Sequence, residues 1–445
     1  MKLHDTLTGE LREFKTIESG KVKMYVCGMT VQDVPHMGHL RTFTSFDILR
    51  RYLEYKGYEV VYIQNFTDID DKIINKSKEL GIDWRKLAQK YEMEYINYAK
   101  IMNFKNVEFF PKATLHIQEI IEIIEYLLKN GFAYISNSNV WFDVEKFGNY
   151  GKLSKKTLDE LITGYRIEPD SSKRKPYDFA LWKAYKENEP YWYSPFGKGR
   201  PGWHIECTAM SITHLGKTID IHGGAEDLIF PHHENEIAQS ESFTGQKFSN
   251  FWIHTGFLTL KGEKMSKSTG LFFSAKDVLE IYDPNVIRLF FLRAHYRSSL
   301  DFSENLLENA KNSWQRIKNF LLEFEGEGKL VSQIIKDFEN AMDDNLNTPK
   351  AISIIFEAVN QAYKNKEKAI DIAFTIRFIL KVLGFDLSFE RNINKLNEIM
   401  NIIIEIRQDL RKNRIYELSD KIRESLKKVG IILEDTKEGT KWKIL

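Results

Sequence analysis

Apolar residues at every second position, Val22, Met24 and Val26, predict a β-strand that ends at Cys27. A turn bearing glycine and proline follows, CGMTVQDVPHMGH, and then the period changes. Leu40, Phe43, Phe46, Leu49 and Leu53 recur every three or four positions, the spacing of one helix face. Gly57 precedes a second strand pattern, YEVVYIQNFTD. Strand, turn, helix and strand in such a short stretch predict a βαβ unit, hence a parallel sheet. Helical patterns then fill most of residues 70–103.

From Pro111 the pattern breaks up. The helix HIQEIIEIIEYLLKNG leads into strand-like and turn-rich pieces (NVWFDV, FGNYG, YWYSPFGKG), which read as an insertion between two halves of a sheet domain. Helix and strand alternate again between residues 200 and 260, with TIDIHGG and FWIHTGFLTL. After residue 303 nearly everything has helical period. Thr348 is the expected N-cap of one such helix, with Pro349 at its first position. Its apolar stripe is Ile352, Ile355, Phe356, Val359 and Tyr363, a helix-bundle core face. Gly384 and Gly430 mark expected helix ends. Phe324-Glu325-Gly326-Glu327-Gly328 reads as a flexible joint.

A chain of 445 residues has ample material for two or three domains. Its two cysteines exclude a disulfide framework and a four-cysteine zinc cage, and fit a reducing cytosol. Apolar residues at 42% and charged residues at 29% exclude a disordered chain. No run of about 18 apolar residues exists to span a membrane. MKLHDTLTGELREF lacks the apolar core of a signal peptide, so the expected location is cytoplasmic, with no membrane partner. The charges nearly cancel, 64 basic against 63 acidic, so any polyanion must be met by local patches.

His36-Met37-Gly38-His39 falls between a strand and a helix start, where backbone N–H groups attract phosphate. Two imidazoles add donors there, and Gly38 admits a flat ring or a phosphate close to the backbone; two ordinary loop histidines are the rival reading. Lys264-Met265-Ser266-Lys267-Ser268 lies between Gly262 and Gly270. Two mobile lysines on a glycine-bounded loop suit a triphosphate, although a solvated basic loop has the same look. Together, the two motifs suit charge building on a transferring phosphorus centre. His232 and Glu236 are four apart and share a helix face; His233 and Glu236, three apart, are the rival pair. With Cys27 and Cys207 they would complete a tetrahedral zinc site. On spacing alone, inert buried cysteines and a solvated His/Glu face account for the same residues. Residues 407–428 hold eight basic and four acidic side chains, a patch able to face a phosphate backbone or simply solvent.

Taken together, these residues resemble the cysteinyl-tRNA synthetase family. HMGH and KMSKS resemble the two signatures of class I aminoacyl-tRNA synthetases. YVCGMTVQDVPHMGHLRTF, NFTDIDDKI, DFALWK, SPFGKGRPGWHIECTAM, HGGAEDLIFPHHENEIAQS, AHYRSSLDFSE, DDNLNTPKA and GIILEDTKEGTKW follow in the family's order over essentially the whole chain. Departures from the pattern fall at Met29, Gln32, Ala225 and Thr269-Gly270-Leu271. A catalytically silent tRNA-binding paralogue and a ligase joining cysteine to an amino-sugar are the rival classes. Intact signatures argue against the first, and the long helical half argues against the second.

The resemblance implies an α/β fold: a Rossmann-like parallel-sheet catalytic domain with an inserted connective domain, then a helical-bundle C-terminal half and a small mixed α/β tail. The expected segments are 1–110 and 201–255 for the catalytic domain, 111–200 for the insertion and 256–305 for the KMSKS loop and stem-contact region. Residues 306–395 form the anticodon-binding bundle and 396–445 the tail, where Ile431–Trp442 would read the anticodon and Trp442 either stacks on a base or anchors the tail by packing. The resemblance also implies a monomer that activates L-cysteine with ATP and Mg²⁺, then passes it to the 3′-terminal ribose of tRNA-Cys, at the 2′-OH for class I. Zinc would be held by Cys27, Cys207, His232 and Glu236 and would select the substrate thiol. Gly28, Thr67 and Trp203 would shape the amino-acid pocket, with Asp227 near the amino end. His36 and His39 would support the α-phosphate, Lys264 and Lys267 the β- and γ-phosphates, with Gly38, Ser266 and Ser268 against ATP.

Overall fold

The alternation at Val22–Val26 is realised as a central strand of a parallel sheet in a computed structural model, which describes residues 1–157, 160, 170–260, 262–264, 273–436 and 439–444. A short antiparallel pair comes first, β1 (Lys2–Asp5) and β2 (Glu10–Glu13). β3 (Lys21–Val26), α1 (Met37–Tyr55) and β4 (Glu59–Gln64) form the expected βαβ unit, with Lys21 opposite Glu59 and Val26 opposite Gln64. Val22, Met24, Tyr25 and Val26 are fully buried, as a parallel strand covered on both faces requires. α2 (Asp71–Leu80) and α3 (Trp84–Ile101) fill the helical stretch that follows, each capped by an aspartate, Asp70 or Asp83, that accepts backbone N–H groups.

The insertion begins with α4 (Ile117–Lys129) and carries an antiparallel sheet of β5 (Ala133–Ser136), β6 (Asn139–Phe142), β7 (Phe179–Ala184) and β8 (Gly199–Pro201). Its core packs Ile120, Ile124 and Leu127 of the helix against Phe142, Leu181 and Trp182 of the sheet. The chain re-enters the parallel sheet through α5 (Trp203–Leu215), β9 (Ile219–Ala225), α6 (Glu234–Thr244) and β10 (Ser249–Thr255), giving the order β10-β9-β3-β4. β3 therefore meets β4 on one side and β9 on the other, after a long excursion. Crevices at the carboxyl ends of such a reversal are where open parallel sheets bind ligands.

The pattern FWIHTGFLTL does not run as one strand: β10 stops at Thr255 and β11 (Leu258–Leu260) starts a small sheet with β12 (Glu263–Lys264) and β13 (Leu300–Asp301). Arg41 forces the break, because its buried guanidinium donates to the carbonyls of Gly256, Phe257 and Ser298. The helices α7 (Ala275–Leu279), α8 (Pro284–Leu292), α9 (Glu304–Glu323), α10 (Ser332–Asp343), α11 (Thr348–Lys364) and α12 (Ala369–Val382) complete the first of two compact units, Met1–Phe385. Arg288 of α8 is fully buried on Asp47 of α1, 2.9 Å away, and on the Leu383 and Met102 carbonyls.

Two expectations for this region are corrected. Asn347, not Thr348, caps α11: its side chain accepts from Lys350 N at 3.1 Å, and Thr348 and Pro349 are the first helical residues. Ile352, Ile355 and Val359 are buried, but Tyr363 is 41% exposed, its hydroxyl turned out to Glu323. The expected joint at Phe324–Gly328 does lie between two helices; at its ends, Arg377 donates to the Leu321 and Phe324 carbonyls, and Lys329 N donates to Asp371 at 2.8 Å. Gly384, with φ 77°, ends its helix as expected.

The second unit, Asp386–Leu445, holds α13 (Ser388–Lys412), α14 (Tyr416–Lys428) and an antiparallel hairpin of β14 (Ile431–Thr436) and β15 (Gly439–Ile444). The expected 395/396 border falls inside α13. Gly430, with φ 81°, turns the chain from α14 into the hairpin, where half-buried Trp442 faces buried Leu433. Among the described residues, no helix is long and apolar enough to cross a membrane.

Candidate active site

β3 delivers Cys27 to the carboxyl edge of the sheet, where Cys27 N donates to Gly223 O of β9 at 2.9 Å. α5 brings Cys207 from the opposite side, and the turn at Ile229–His233 with the start of α6 brings His232 and Glu236. The ligand atoms of these four residues lie within 4.8 Å of one another, all buried. Glu236 Oε1 is 3.0 Å from His232 Nε2 and 3.4 Å from Cys27 Sγ. The expected set is thus brought together from three separate elements. Two sulfurs, one imidazole and one carboxylate, shielded from water, are donors of the kind that tetrahedral zinc takes.

The structure adds a second grouping that shares Cys27 and Glu236: His222 and His233. His222 Nε2 lies 3.2 Å from Glu236 Oε2 and 3.5 Å from Cys27 Sγ. Sequence reasoning missed His222, which looks like a polar interruption in a buried strand. His232 also has a brace, with its Nδ1 3.0 Å from His204 Nδ1. Burial and His232 push His204 well down, keeping it neutral and able to accept the His232 proton. Such outer partners fix the tautomer and orientation of a ligating imidazole. His233 Nδ1 is paired with His254 Nε2 at 2.7 Å.

The electrostatics favour ionised ligands at two positions. Burial raises the Cys207 thiol, but the hydrogen bond to Cys27 and the charge on His232 outweigh it and bring the pKa to about 6. Burial likewise opposes ionisation of Glu236, yet His222 and His232 hold its carboxyl well below the usual range. Cys27 is driven the other way, up, by burial and by Cys207. Beside them, burial and the charges of Cys207, Asp70 and Asp68 push the Glu206 carboxyl well up, so it stays protonated.

The expected amino-acid pocket adjoins this cluster. Gly28 N donates to Asn65 Oδ1 at 2.8 Å, and a Cβ on Gly28 would lie 1.7 Å from Asn65 O, so only glycine fits. Thr67 is buried and exchanges backbone hydrogen bonds with Met29 and Val31. Half-buried Trp203 packs tilted against the His232 ring, with centroids 4.4 Å apart. Asp227 is exposed on the turn Glu226–Leu228 and lies outside the buried cluster. Asn65, which anchors Gly28, was not singled out from the sequence; its place directly after a strand was the available signal.

The first signature forms the N-terminus of α1. His36 is the N-cap: its Nδ1 accepts from His39 N, and His39 Nδ1 accepts from His36 N, both at 3.2 Å. With each Nδ1 accepting, each neutral ring carries its proton on Nε2. The rings stack with centroids 3.6 Å apart, and a Cβ on Gly38 would meet the His36 ring at 3.0 Å. The second signature starts at Lys264, whose backbone ends β12; Met265, Ser266, Lys267 and Ser268 lie outside the described residues. On the far side of that segment, Phe273 O accepts from Met37 N at 3.2 Å and Ala275 N donates to Pro35 O at 2.9 Å. The chain leaving the second signature is thereby stitched to the first.

The parallel sheet with its reversal at Cys27, the helix start at His36–His39 and the buried cluster fit the class I aminoacyl-tRNA synthetases, and the family matches place the chain among them. Residues 13–312 match the family described as tRNA synthetases class I (C) catalytic domain, and residues 337–388 match the DALR domain. The fold is similar to methionyl-tRNA synthetase of Mycobacterium tuberculosis in complex with methionyl-adenylate, with TM-score 0.59 and 14% identity over 82% of this chain and 89% of that one. It is also similar to a leucyl enzyme of Agrobacterium radiobacter K84 in a ternary complex with tRNA, with TM-score 0.60 and 9% identity over 84% of each chain. Curated cysteine–tRNA ligases match from end to end. That of Thermococcus gammatolerans is 46% identical over 100% of this chain and 99% of its own. That of Thermotoga maritima is 45% identical over 100% of both. The chain belongs to the cysteine–tRNA ligase family, and its activity is the aminoacylation of tRNA-Cys.

Proposed function

We propose that the chain activates L-cysteine on a zinc held by Cys27, Cys207, His232 and Glu236, and that this cluster is what rejects other amino acids. The observation that carries the reading is the convergence of these four buried donors beside Gly28, Thr67 and Trp203. Serine is nearly isosteric with cysteine, and shape alone would discriminate by only about 1–3 kcal/mol. When bound, a zinc ion already carrying two thiolates would favour the substrate's sulfur over a hydroxyl. His204 and His222 are positioning residues that keep the donor set aligned.

The cysteine carboxylate, ionised at neutral pH, attacks the α-phosphorus of ATP; the bond to the β-phosphate oxygen breaks, and cysteinyl-adenylate and pyrophosphate result. No general base is needed. His36 and His39 donate from Nε2 toward the α-phosphate, helped by the positive end of the α1 dipole. Lys264 and Lys267, with Ser266 and Ser268, close on the β- and γ-phosphates, and Mg²⁺ arrives with ATP. Gly38 keeps the backbone open to the nucleotide, and Asp227 attracts the substrate ammonium. The 2′-hydroxyl of the terminal ribose then attacks the carbonyl and displaces AMP. We assign residues 256–305 to the acceptor stem, and 306–395 and 396–445 to the anticodon side, in a monomeric cytoplasmic enzyme. Metal analysis with amino-acid-dependent ATP–pyrophosphate exchange tests this. The expected result is one zinc per chain, exchange with cysteine and none with serine. A folded, zinc-loaded sample without exchange would overturn it.

A further inference from the structure

Beside α1 lies a cavity of about 220 Å³. None of the residues assigned above to zinc, cysteine or ATP lines it. Its walls are aromatic: Phe43, Tyr62, Tyr95, Phe104 and Phe110. Phe43 and Tyr95 meet edge to face at 5.2 Å, and Tyr95 meets Phe110 the same way at 6.2 Å. The floor is a fixed polar chain in which Tyr62 donates to Gln64 Oε1 at 3.1 Å and Gln64 Nε2 donates to the Tyr95 hydroxyl at 2.7 Å. Tyr95 keeps its own proton, because burial pushes the phenol up, and so remains a donor. Asp47, the acid in the lining, is neutralised by Arg51 and Arg288, each at 2.9 Å, and by Lys105 N at 2.8 Å. At the mouth stand the exposed Lys100 and Lys105, the latter shared with Glu54. A concave aromatic pocket with few convergent polar groups is the usual form of a small-molecule site.

We infer that this cavity binds a planar aromatic carboxylate, its ring against the paired Phe43 and Tyr95 and its carboxylate toward Lys100, and that its occupancy acts on the first signature. The coupling runs along one face of α1. Phe43 lies four residues beyond His39, and their rings are parallel within 12° at 6.4 Å. Gln64 on the floor precedes Asn65, which holds Gly28. A ligand there would modulate adenylate formation without occupying the cysteine or ATP sites. Only this coupling rests on the ATP role proposed for His39; the binding does not.

The test is a titration of the full chain with indole-3-carboxylate, read by ligand-observed NMR, with neutral indole as comparator. Saturable binding is expected, weakened more than about tenfold by Ala99→Trp, which fills the cavity from α3. Lys100→Glu, an exposed change that leaves the fold alone, should weaken the carboxylate severalfold and leave indole unchanged. At saturating cysteine and ATP the probe should slow pyrophosphate exchange in the wild type and cause no further change in Ala99→Trp, whose exchange without probe is measured as its own reference. Absence of saturable binding, or equal binding to Ala99→Trp, would overturn the site. Indifference to Lys100→Glu would overturn the anion preference, and binding with undiminished exchange the coupling to His39.

Discussion

Cys27, Cys207, His232 and Glu236 are each at most 4% exposed and come from a strand end and two helices, whereas His36, Gly38 and His39 are half-buried at the tip of one helix. The first group has its donors packed against one another, with braces from His204 and His222 behind them. The second lies at a helix tip, where the two imidazoles cap each other's backbone and the chain leaving the second signature is bonded to the helix start. Telling sulfur from oxygen needs donors that do not move and water that does not enter. Handling a triphosphate needs access for a large anion and donors at an open edge. On the proposed reading, the same sheet edge would supply both by varying burial.

The comparison can be broken most severely at the buried end. Cys207→Ser should lose the metal and lower cysteine-dependent exchange by more than about three orders of magnitude, beyond the ~10–100-fold typical of an outer-partner change. Retention of stoichiometric zinc in that variant would mean the ligand set is wrong. At the open end, Lys267→Ala should keep full metal content and cysteine affinity while adenylate formation falls by about 10²–10³-fold; normal turnover would demote it to a loop charge. The two glycines sharpen the contrast. Gly28→Ala drives a Cβ into a backbone carbonyl and should cost about 10²-fold in kcat/KM for cysteine, as an ångström of misplacement does. Gly38→Ala meets only a side-chain ring and should cost about tenfold or less, chiefly in KM for ATP. Equal penalties would erase the distinction between rigid and adaptable regions.

The smallest effect concerns the strut joining the insertion to α2. Asp71 accepts from Lys183 and Arg200; burial opposes its ionisation, but these two cations prevail and hold its pKa below the usual value. A lowered folded-state pKa means stability present above the unfolded value, near 3.9, and lost as pH falls through the folded one. The Tm of Asp71→Asn should therefore lie a few degrees below wild type at pH 6 to 7, with the gap closing below about pH 4. A gap that widens on acidification would reverse the sign assigned here.

The βαβ unit was legible because its two periods are unambiguous, two at Val22–Val26 and then three to four from Leu40 to Leu53. The break after Thr255 was not, since it depends on Arg41, a residue that reads as a solvated helix position until its three carbonyl partners are seen. The expected zinc ligands were named through family resemblance; on spacing alone inert cysteines were the default reading. His222 escaped because a histidine within a buried strand has no local mark distinguishing a partner of Glu236 from an ordinary core residue. Asn347 lost its cap assignment to Thr348 because Asn, Thr and Pro in succession offer two acceptable helix starts.

His36 and His39 each use Nδ1 to accept the other's backbone N–H, so each ring's tautomer is set by a main-chain donor. A side-chain substitution at one position leaves that donor in place for the other ring. The two imidazoles can therefore be removed one at a time, and each single variant reports on one proton of the pair.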